Sequence, residues 1–231
     1  MPLTKSKGNM YPWVTHTHSH LAGKCPHECS YCYVQAMAER YPVMKERYSG
    51  PIRLIESELA VKYGSGKTIF IEHCNDLFAA DVPDILIGRI LAHCDEYPEN
   101  TYVFQTKNPN RIIEYKYRLP QYKIIGTTIE TNRWFESKAP CTDSRYINFR
   151  DLMREVQGQY FVTIEPIMDF DFSVLSAWMI YTRPSFVNIG ADSKGSGLPE
   201  PSWEKVSALI EALKAAGIEI RQKSNLERLR N

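Results

Sequence analysis

Lys24 to Tyr33 reads K-C-P-H-E-C-S-Y-C-Y and contains Cys25, Cys29 and Cys32, spaced Cys-x3-Cys-x2-Cys. So short a segment can turn all three sulfurs towards one centre, and thiolates are soft ligands suited to zinc or to iron–sulfur clusters. A structural zinc site is normally closed by four protein ligands, whereas a reactive metal site keeps one position open. Three cysteines therefore favour a cubane cluster with one iron left free for a small molecule.

Two other interpretations of these cysteines stay open at this level. One is a zinc site of three cysteines and a histidine, with His27 or His20 as the fourth ligand. The other is a chance grouping of structural cysteines. His16, His18 and His20 alternate, so they share one face of an extended chain. We favour a polar segment that leads into the cysteines, and we assign no second metal to it.

Length and composition suit one large α/β domain. The chain has 231 residues, is 43% hydrophobic, and carries a net charge of +1, so no strong overall field attracts nucleic acid or an acidic membrane. No apolar run approaches a membrane span, and the N-terminus lacks the apolar core of a signal peptide. Three of six cysteines in one loop do not suit a disulfide framework. We expect a cytoplasmic protein, with one domain over 1–231 and a loose arm over 1–10.

Strands and helices alternate along the chain. After a short strand at 11–16, the pattern predicts strands at 67–73, 101–105, 122–129, 160–164, 185–189 and 218–220. Helices are predicted at 34–47, kinked or ended at Pro42, and at 54–63, 83–97, 109–117, 149–157, 172–181 and 202–216. This alternation indicates an α/β fold with a parallel sheet and right-handed crossovers. Several strands end in polar residues, as in a barrel whose active site lies at the carboxyl ends of its strands.

A series of motifs carries a family resemblance across most of the chain. After the cysteines come I-F-I-E-H-C-N-D-L-F-A-A-D-V-P (69–83), F-Q-T-K-N-P (104–109), I-G-T-T-I-E (125–130), T-I-E-P (163–166) and V-N-I-G-A-D-S (187–193). Their order is similar to that in a small, phage-associated radical S-adenosylmethionine (SAM) family, related to the spore photoproduct lyase branch. The chain departs from that family where Gly-Ala-Asp-Ser (190–193) replaces Gly-Gly-Glu-Ser. It also lacks an additional cysteine before the cluster motif.

The resemblance implies a partial (β/α)6 radical SAM barrel, a [4Fe-4S] cluster and SAM as cofactors. In such enzymes the reduced cluster cleaves SAM to methionine and a 5′-deoxyadenosyl radical, which abstracts hydrogen from a substrate. A reductant such as flavodoxin or ferredoxin is then an expected partner. The phage association and the relation to spore photoproduct lyase point to nucleic acid as one candidate substrate class, without naming the substrate.

The resemblance also implies roles for individual residues. Cys25, Cys29 and Cys32 would ligate three irons, and Tyr31 would pack beside the adenine or simply anchor the loop. The remaining candidates lie at strand ends. Glu72 and Asn75 would contact the SAM amino group, and Thr106 and Lys107 would contact the SAM carboxylate or ribose. Glu130 and Glu165 would bind ribose hydroxyls or substrate. Both glutamates have an alternative role as partners of an arginine or lysine at the barrel mouth.

Two further thiols are candidates for the radical chemistry. Cys74 follows a strand, and Cys141 lies in the loop after Glu130, so both are expected on the mouth side of the barrel. A thiol S–H can donate a hydrogen atom to a substrate radical. The competing interpretation is ordinary packing, since buried free cysteine behaves as a small hydrophobe. Cys94, within a predicted helix, is expected to pack against the sheet.

A different class of function is a zinc-stabilised nucleic-acid-binding module. Its support lies in two basic stretches, 107–123 and 221–230, the first of them also rich in tyrosine. Charge runs of this kind are usually a solvated helix face, and the nearly neutral net charge does not favour a nucleic-acid binder. The radical SAM enzyme is therefore the preferred hypothesis.

Overall fold

A computed structural model describes residues 3–230. Ten strands lie in this part of the chain: β1 (Thr4–Lys5), β2 (His16–His18), β3 (Leu21–Ala22), β4 (Arg53–Leu54), β5 (Thr68–Ile71), β6 (Thr101–Thr106), β7 (Lys123–Thr128), β8 (Gln159–Ile164), β9 (Phe186–Ile189) and β10 (Glu219–Gln222). The helices are α1 (Tyr33–Arg40), α2 (Pro42–Arg47), α3 (Asp84–Asp95), α4 (Pro109–Glu114), α5 (Thr142–Glu155), α6 (Phe172–Thr182) and α7 (Trp203–Ala215). Short 3₁₀ turns occur at Glu56–Ala60 and Ser224–Arg230.

Eight strands form one open sheet in the order β1-β2-β5-β6-β7-β8-β9-β10. All neighbouring pairs from β2 to β10 are parallel, and β1 adds antiparallel to β2. Each of α3 to α7 connects two successive parallel strands. The predicted partial (β/α)6 barrel, a parallel sheet with outer helices, is confirmed. No helix in residues 3–230 has the length and apolar character needed to cross a membrane.

The strands separate two apolar layers, because successive residues of a strand point to opposite faces. On β8, Val162 and Ile164 belong to the large outer layer beneath the helices, whereas Phe161 belongs to a small inner layer. The inner layer consists of Tyr11, Val14, Phe70, Val103, Phe161 and Phe186. A side chain at Gly126 would overlap the ring of Phe161, so the glycine leaves room for the aromatic filling of the barrel.

The N-terminal segment covers this inner layer. The Trp13 ring stacks on Tyr11 at 5.3 Å and meets Phe186 edge-on at 5.3 Å. The Tyr11 hydroxyl lies 2.7 Å from that of Thr163. The expectation of a loose arm over 1–10 stays a prediction; within that segment Thr4 and Lys5 pair with β2, and Asn9 Nδ2 donates to Glu165 at 3.1 Å. Residues 1 and 2 lie outside the described part.

Other expectations differ locally from the structure. The predicted helix at 54–63 is instead β4 followed by a 3₁₀ turn, because Leu54 pairs with Leu21 and the Ile55 amide donates to the His20 carbonyl at 2.9 Å. The first predicted helix divides at Tyr41, before Pro42, as the proline indicates. The predicted strand at 11–16 is displaced to β2, and the helix predicted at 149–157 begins earlier, with α5.

Candidate active site

A cavity of about 560 Å³ opens at the carboxyl ends of the strands. It gathers ten of the twelve residues predicted for the site: Cys25, Cys29, Tyr31, Cys32, Glu72, Cys74, Asn75, Thr106, Lys107 and Glu165. Its polar lining includes Gln105, Thr128 and Thr163 from the strands. Gln105 Nε2 donates to Thr128 Oγ1 at 2.8 Å, and Thr163 Oγ1 accepts from Asn188 Nδ2 at 3.3 Å. Glu130 and Cys141 do not line this cavity.

Asp76 anchors the cysteine loop (residues 25–32) to the strand ends. Its Oδ2 lies 2.8 Å from His27 Nε2 and accepts the Lys107 backbone N–H at 2.7 Å. Its Oδ1 accepts the Phe78 N–H at 3.0 Å. Burial by itself would raise the pKa of Asp76, but His27 and the Lys107 N–H hold that pKa below its ordinary value. The carboxylate therefore joins the loop to the ends of β5 and β6.

A second anchor of the cysteine loop runs through a buried ion network. The Tyr31 hydroxyl donates to Glu130, whose other oxygen accepts from Arg145 at 2.7 Å. Lys107 Nζ lies 3.8 Å from Glu130 and 5.5 Å from the centre of the Tyr31 ring. Arg145 also donates to the carbonyls of Pro140 and Thr128, at 2.6 and 3.1 Å. Glu130 and Arg145 are fully buried, so this network holds the loop from below the cavity.

Charges in the network keep each other ionised. Burial by itself would raise the pKa of Glu130, but Arg145 and Lys107 hold it below its ordinary value. Burial would lower the pKa of Lys107, but Cys29 and Glu130 raise it above its ordinary value. Lys107 is thus a fixed cation at the cavity wall. For Glu130 the structure supports the alternative role expected from sequence, an ion partner at the barrel mouth, since its carboxylate does not reach the cavity.

Glu72 directs its carboxylate away from the cavity centre. It accepts the backbone N–H groups of His20 and Leu21, at 2.5 and 3.2 Å, and its Oε1 lies 2.8 Å from His20 Nδ1. Its backbone has a φ of 59°, a left-handed conformation that is uncommon for residues other than glycine. Glu72 thereby ties the end of β5 to the chain that precedes the cysteines. As a predicted ligand of the SAM amino group it would have to give up these bonds.

The remaining strand-end residues differ in how many of their polar atoms already bond to other protein groups. Asn75 Nδ2 makes one long bond, at 3.4 Å, to the Gly23 carbonyl, and its Oδ1 is buried without a partner. Thr106 Oγ1 accepts the Asn108 N–H at 2.8 Å. Glu165 accepts from Asn225 Nδ2 at 2.9 Å and lies 3.1 Å from Lys223 Nζ.

The two thiols proposed for radical chemistry lie in different places. Cys74 is buried at the cavity wall, with its sulfur 3.7 Å from the Tyr33 hydroxyl. Burial raises its pKa, so it keeps its S–H at neutral pH. Cys141 is exposed at the start of α5 and lines a separate cavity of about 420 Å³ formed by residues 132–145. Cys94 is fully buried in the outer layer, as expected.

The donor set in the main cavity fits an iron–sulfur cluster better than a single zinc ion. In the described part of the chain, the three cysteine sulfurs do not all lie within 4.8 Å of one another, whereas one tetrahedral zinc with bonds of about 2.3 Å needs sulfurs about 3.8 Å apart. His27 is held by Asp76, and His20 is bonded to Glu72 and His93. Neither candidate for a fourth zinc ligand is therefore aimed at the sulfurs.

Comparison with known families gives an assignment for the sequence. A family model described as "Protein of unknown function (DUF5131)" matches residues 9–205. The chain belongs to the DUF5131 family. No curated protein matches its sequence.

Solved structures relate this DUF5131 chain to two radical SAM enzymes. A variant of spore photoproduct lyase has a TM-score of 0.64 and 11% identity, over 95% of this chain and 79% of that one. Spore photoproduct lyase complexed with dinucleoside spore photoproduct has a TM-score of 0.56 and 13% identity, over 91% of this chain and 64% of that one. SuiB of Streptococcus suis bound to S-adenosylmethionine has a TM-score of 0.52 and 10% identity, over 92% of this chain and only 50% of SuiB. The DUF5131 chain therefore has the radical SAM fold.

Several residues of the site were not found from sequence. Asp76, Arg145, Lys223 and Asn225 hold its walls, and Tyr11 supplies its floor. Asp76 had a signal, because it opens the motif D-L-F…D-V-P. No sequence signal marks Arg145, which lies in a helix, or Lys223 and Asn225, which lie near the C-terminus. Their partners come from other parts of the chain, and such pairing leaves no local pattern.

Replacing Asp76 should loosen the cysteine loop. Asp76→Asn removes the charge that holds His27 and the Lys107 N–H, and charge-assisted bonds of this kind contribute about 1.5–3 kcal/mol. We expect a loss of that order in the free energy of unfolding, measured by urea denaturation. Asp81→Asn, at an exposed position, is the matched control and should change little. Equal stability of both variants would show that Asp76 is not a structural anchor.

Proposed function

We propose that this DUF5131 protein is a radical SAM enzyme. The observation that carries the proposal is the meeting of Cys25, Cys29 and Cys32 with Lys107 around one cavity, at the carboxyl ends of parallel strands. That is the edge where barrel enzymes assemble their active sites. The phage association implied by the sequence resemblance stays a prediction.

The three cysteines would hold a [4Fe-4S] cluster as thiolates. Burial and the nearby Asp76 raise the pKa of the Cys25 thiol to about 12, so the metal must displace its proton on binding. The reduced cluster would supply the electron that cleaves SAM to methionine and a 5′-deoxyadenosyl radical. The protein's part is to hold the thiolates, orient SAM and exclude water.

Lys107 is the residue we assign to the SAM carboxylate. It is a preformed cation beside the cysteine loop, fixed by Glu130 and Tyr31, so pairing with a carboxylate costs little reorganisation. Asn75 is assigned to the SAM amino group, because its buried Oδ1 has no partner and can accept an N–H. Thr106 and Glu165 remain candidates for ribose hydroxyls. Glu72 and Glu130 we now assign to positioning.

Cys74 is the thiol we assign to hydrogen donation. It lines the cavity and retains its hydrogen, whereas Cys141 lines a different cavity. In this step the S–H bond breaks and a C–H bond forms on the substrate radical. The thiyl radical left on Cys74 is then returned to the thiol by an electron from the reductant, for which flavodoxin or ferredoxin is the proposed source, and a proton.

The cavity by itself does not select a nucleic-acid substrate. Its lysines are Lys7, Lys107, Lys194 and Lys223, and they are matched by the acidic residues Glu72, Asp76, Glu165 and Asp192. Within the basic stretch 107–123, Arg111 pairs with Asp84 and Lys116 with Glu155. Nucleic acid stays a prediction, supported by the likeness to an enzyme solved with a dinucleoside photoproduct. Oligonucleotide binding at low salt, where phosphate contacts are strongest, decides it.

The cluster is tested by Cys29→Ala. Anaerobically purified wild-type protein should be brown, contain iron and acid-labile sulfide, and cleave SAM when reduced. Cys29→Ala should lose the cluster and the cleavage, because one of three ligands is missing, while circular dichroism stays that of the wild type. The fold survives because the strands, not the metal, supply the core.

Two outcomes would contradict the proposal. A colourless wild-type protein with zinc bound at the cysteines would favour the zinc-stabilised nucleic-acid-binding module. Loss of helical and strand signal in Cys29→Ala would show that the metal, rather than the core, holds the fold.

SAM binding is tested by Lys107→Met. The substitution removes the cation but keeps an unbranched side chain, so cluster content should stay normal. Because charge-assisted bonds contribute about 1.5–3 kcal/mol, SAM affinity measured by calorimetry should fall roughly 10- to 150-fold. Lys62→Met, at an exposed position, serves as the control. Unchanged affinity in Lys107→Met would remove Lys107 from the SAM site.

The donor thiol is tested by Cys74→Ala, with Cys141→Ala beside it. If Cys74 quenches a substrate radical, its loss should leave SAM cleavage intact but divert the product, detected by mass spectrometry. Cys141→Ala should give the wild-type product at the wild-type rate. The same product from both variants would mean that Cys74 only packs against Val34 and Tyr48.

A further inference from the structure

A second group of metal-ligating side chains lies outside the active-site cavity. His18 in β2, His20 before β3 and His93 in α3 meet next to Tyr63, and we call these four residues the histidine cluster. All four are buried, with exposed fractions of 0–2%. None of them lines either cavity described above.

One nitrogen of each ring faces a common centre. The Tyr63 hydroxyl lies 2.6 Å from His18 Nδ1 and 2.9 Å from His20 Nε2. His20 Nε2 lies 2.9 Å from His93 Nδ1. In the described part of the chain, this is the one group of three metal-ligating side chains whose donor atoms all lie within 4.8 Å of one another.

The far nitrogen of each ring has a partner that only accepts hydrogen bonds. His18 Nε2 lies 3.0 Å from Glu58, His20 Nδ1 lies 2.8 Å from Glu72, and His93 Nε2 lies 3.0 Å from the Val61 carbonyl. Each far nitrogen must therefore carry the proton. In a neutral ring the inward nitrogen is then a bare lone pair.

The centre of the histidine cluster has more hydrogen-bond acceptors than hydrogens to share among them. Three inward lone pairs meet one hydroxyl hydrogen, that of Tyr63, and the lone pairs of His20 and His93 oppose each other at 2.9 Å. A positive ion must lie between them, either an added proton or a metal.

The outer contacts match those of a metal site. Histidines that ligate metals almost always donate their other N–H to a carboxylate or a backbone carbonyl, and here all three do so. The carboxylate of Glu72 is buried, and no lysine or arginine in residues 3–230 lies within 4.0 Å of it. A divalent ion behind His20 would balance that charge.

The geometry points to one buried zinc ion held by His18, His20 and His93. Tyr63 closes the site as the fourth ligand, with its phenol proton released to solvent as the metal binds, which gives the closed four-coordinate arrangement of a structural zinc. Imidazole nitrogen suits zinc, and a zinc–nitrogen bond of about 2.0 Å needs donor atoms about 3.3 Å apart, reached here by small shifts. The ion would join β2, the segment before β5 and α3. Through Glu72 it would fix one wall of the active-site cavity.

The test is metal analysis of the full chain after anaerobic purification and dialysis against a chelator. Wild-type protein should retain about one zinc per chain in addition to cluster iron. His93→Gln should lose the zinc and keep the iron, and Cys29→Ala should lose the iron and keep the zinc. His16→Gln is the matched control, because His16 lies in the same strand but outside the histidine cluster, and it should keep both metals.

A second variant keeps the proposal testable if His93→Gln does not fold. Tyr63→Phe retains the packed ring but removes the fourth ligand, so zinc loss to a chromophoric chelator should be at least about tenfold faster than in wild type. Wild-type protein without zinc, even after expression with added zinc, would overturn the proposal. Zinc lost from Cys29→Ala but kept in His93→Gln would place the ion at the cysteine loop and overturn it as well.

Discussion

The carboxylate of Asp76 is the contact on which the candidate active-site cavity depends. It joins His27 of the cysteine loop to the Lys107 backbone at the end of β6 and to its own turn after β5. Without it the loop would be tied to the sheet mainly through Tyr31. Because the loop and the strand ends are far apart in sequence, one buried acceptor with three donors is an economical way to fix their positions. The contacts of Asp76 therefore help to set the positions of the three sulfurs.

Electrostatics around the cavity are arranged in advance of any ligand. Glu130, Arg145 and Lys107 form a buried network whose members hold one another in the charged state. Breaking such a network by removing one partner is strongly destabilising, typically by about 3–5 kcal/mol, because an uncompensated charge is left behind. Lys107 is the member that reaches the cavity, so its charge is available to a ligand while its position is set by the protein. Such a preset charge suits the SAM carboxylate that we propose as its partner.

Glu72 connects this cavity to the histidine cluster. Its backbone turns at the end of β5 in a left-handed conformation, and its carboxylate reaches back to His20 and to the chain before the cysteine loop. A shift of His20 would therefore be transmitted to the cavity wall through a single side chain. The cysteine loop and the histidine cluster, for each of which we propose a metal, are thus linked through Glu72 although no residue belongs to both.

The sequence by itself determined the alternation of strands and helices, the cysteine motif and most of the polar strand ends, because hydrophobic periodicity and short spacings are local properties. Only the tertiary structure decided which polar groups face each other. It turned Glu72 towards His20, buried Glu130 against Arg145, separated Cys141 from Cys74, and brought His93 from α3 to His18 and His20. These contacts join residues that are not neighbours along the chain, and they arise because most buried charged and polar groups find a hydrogen-bond partner wherever the fold places one.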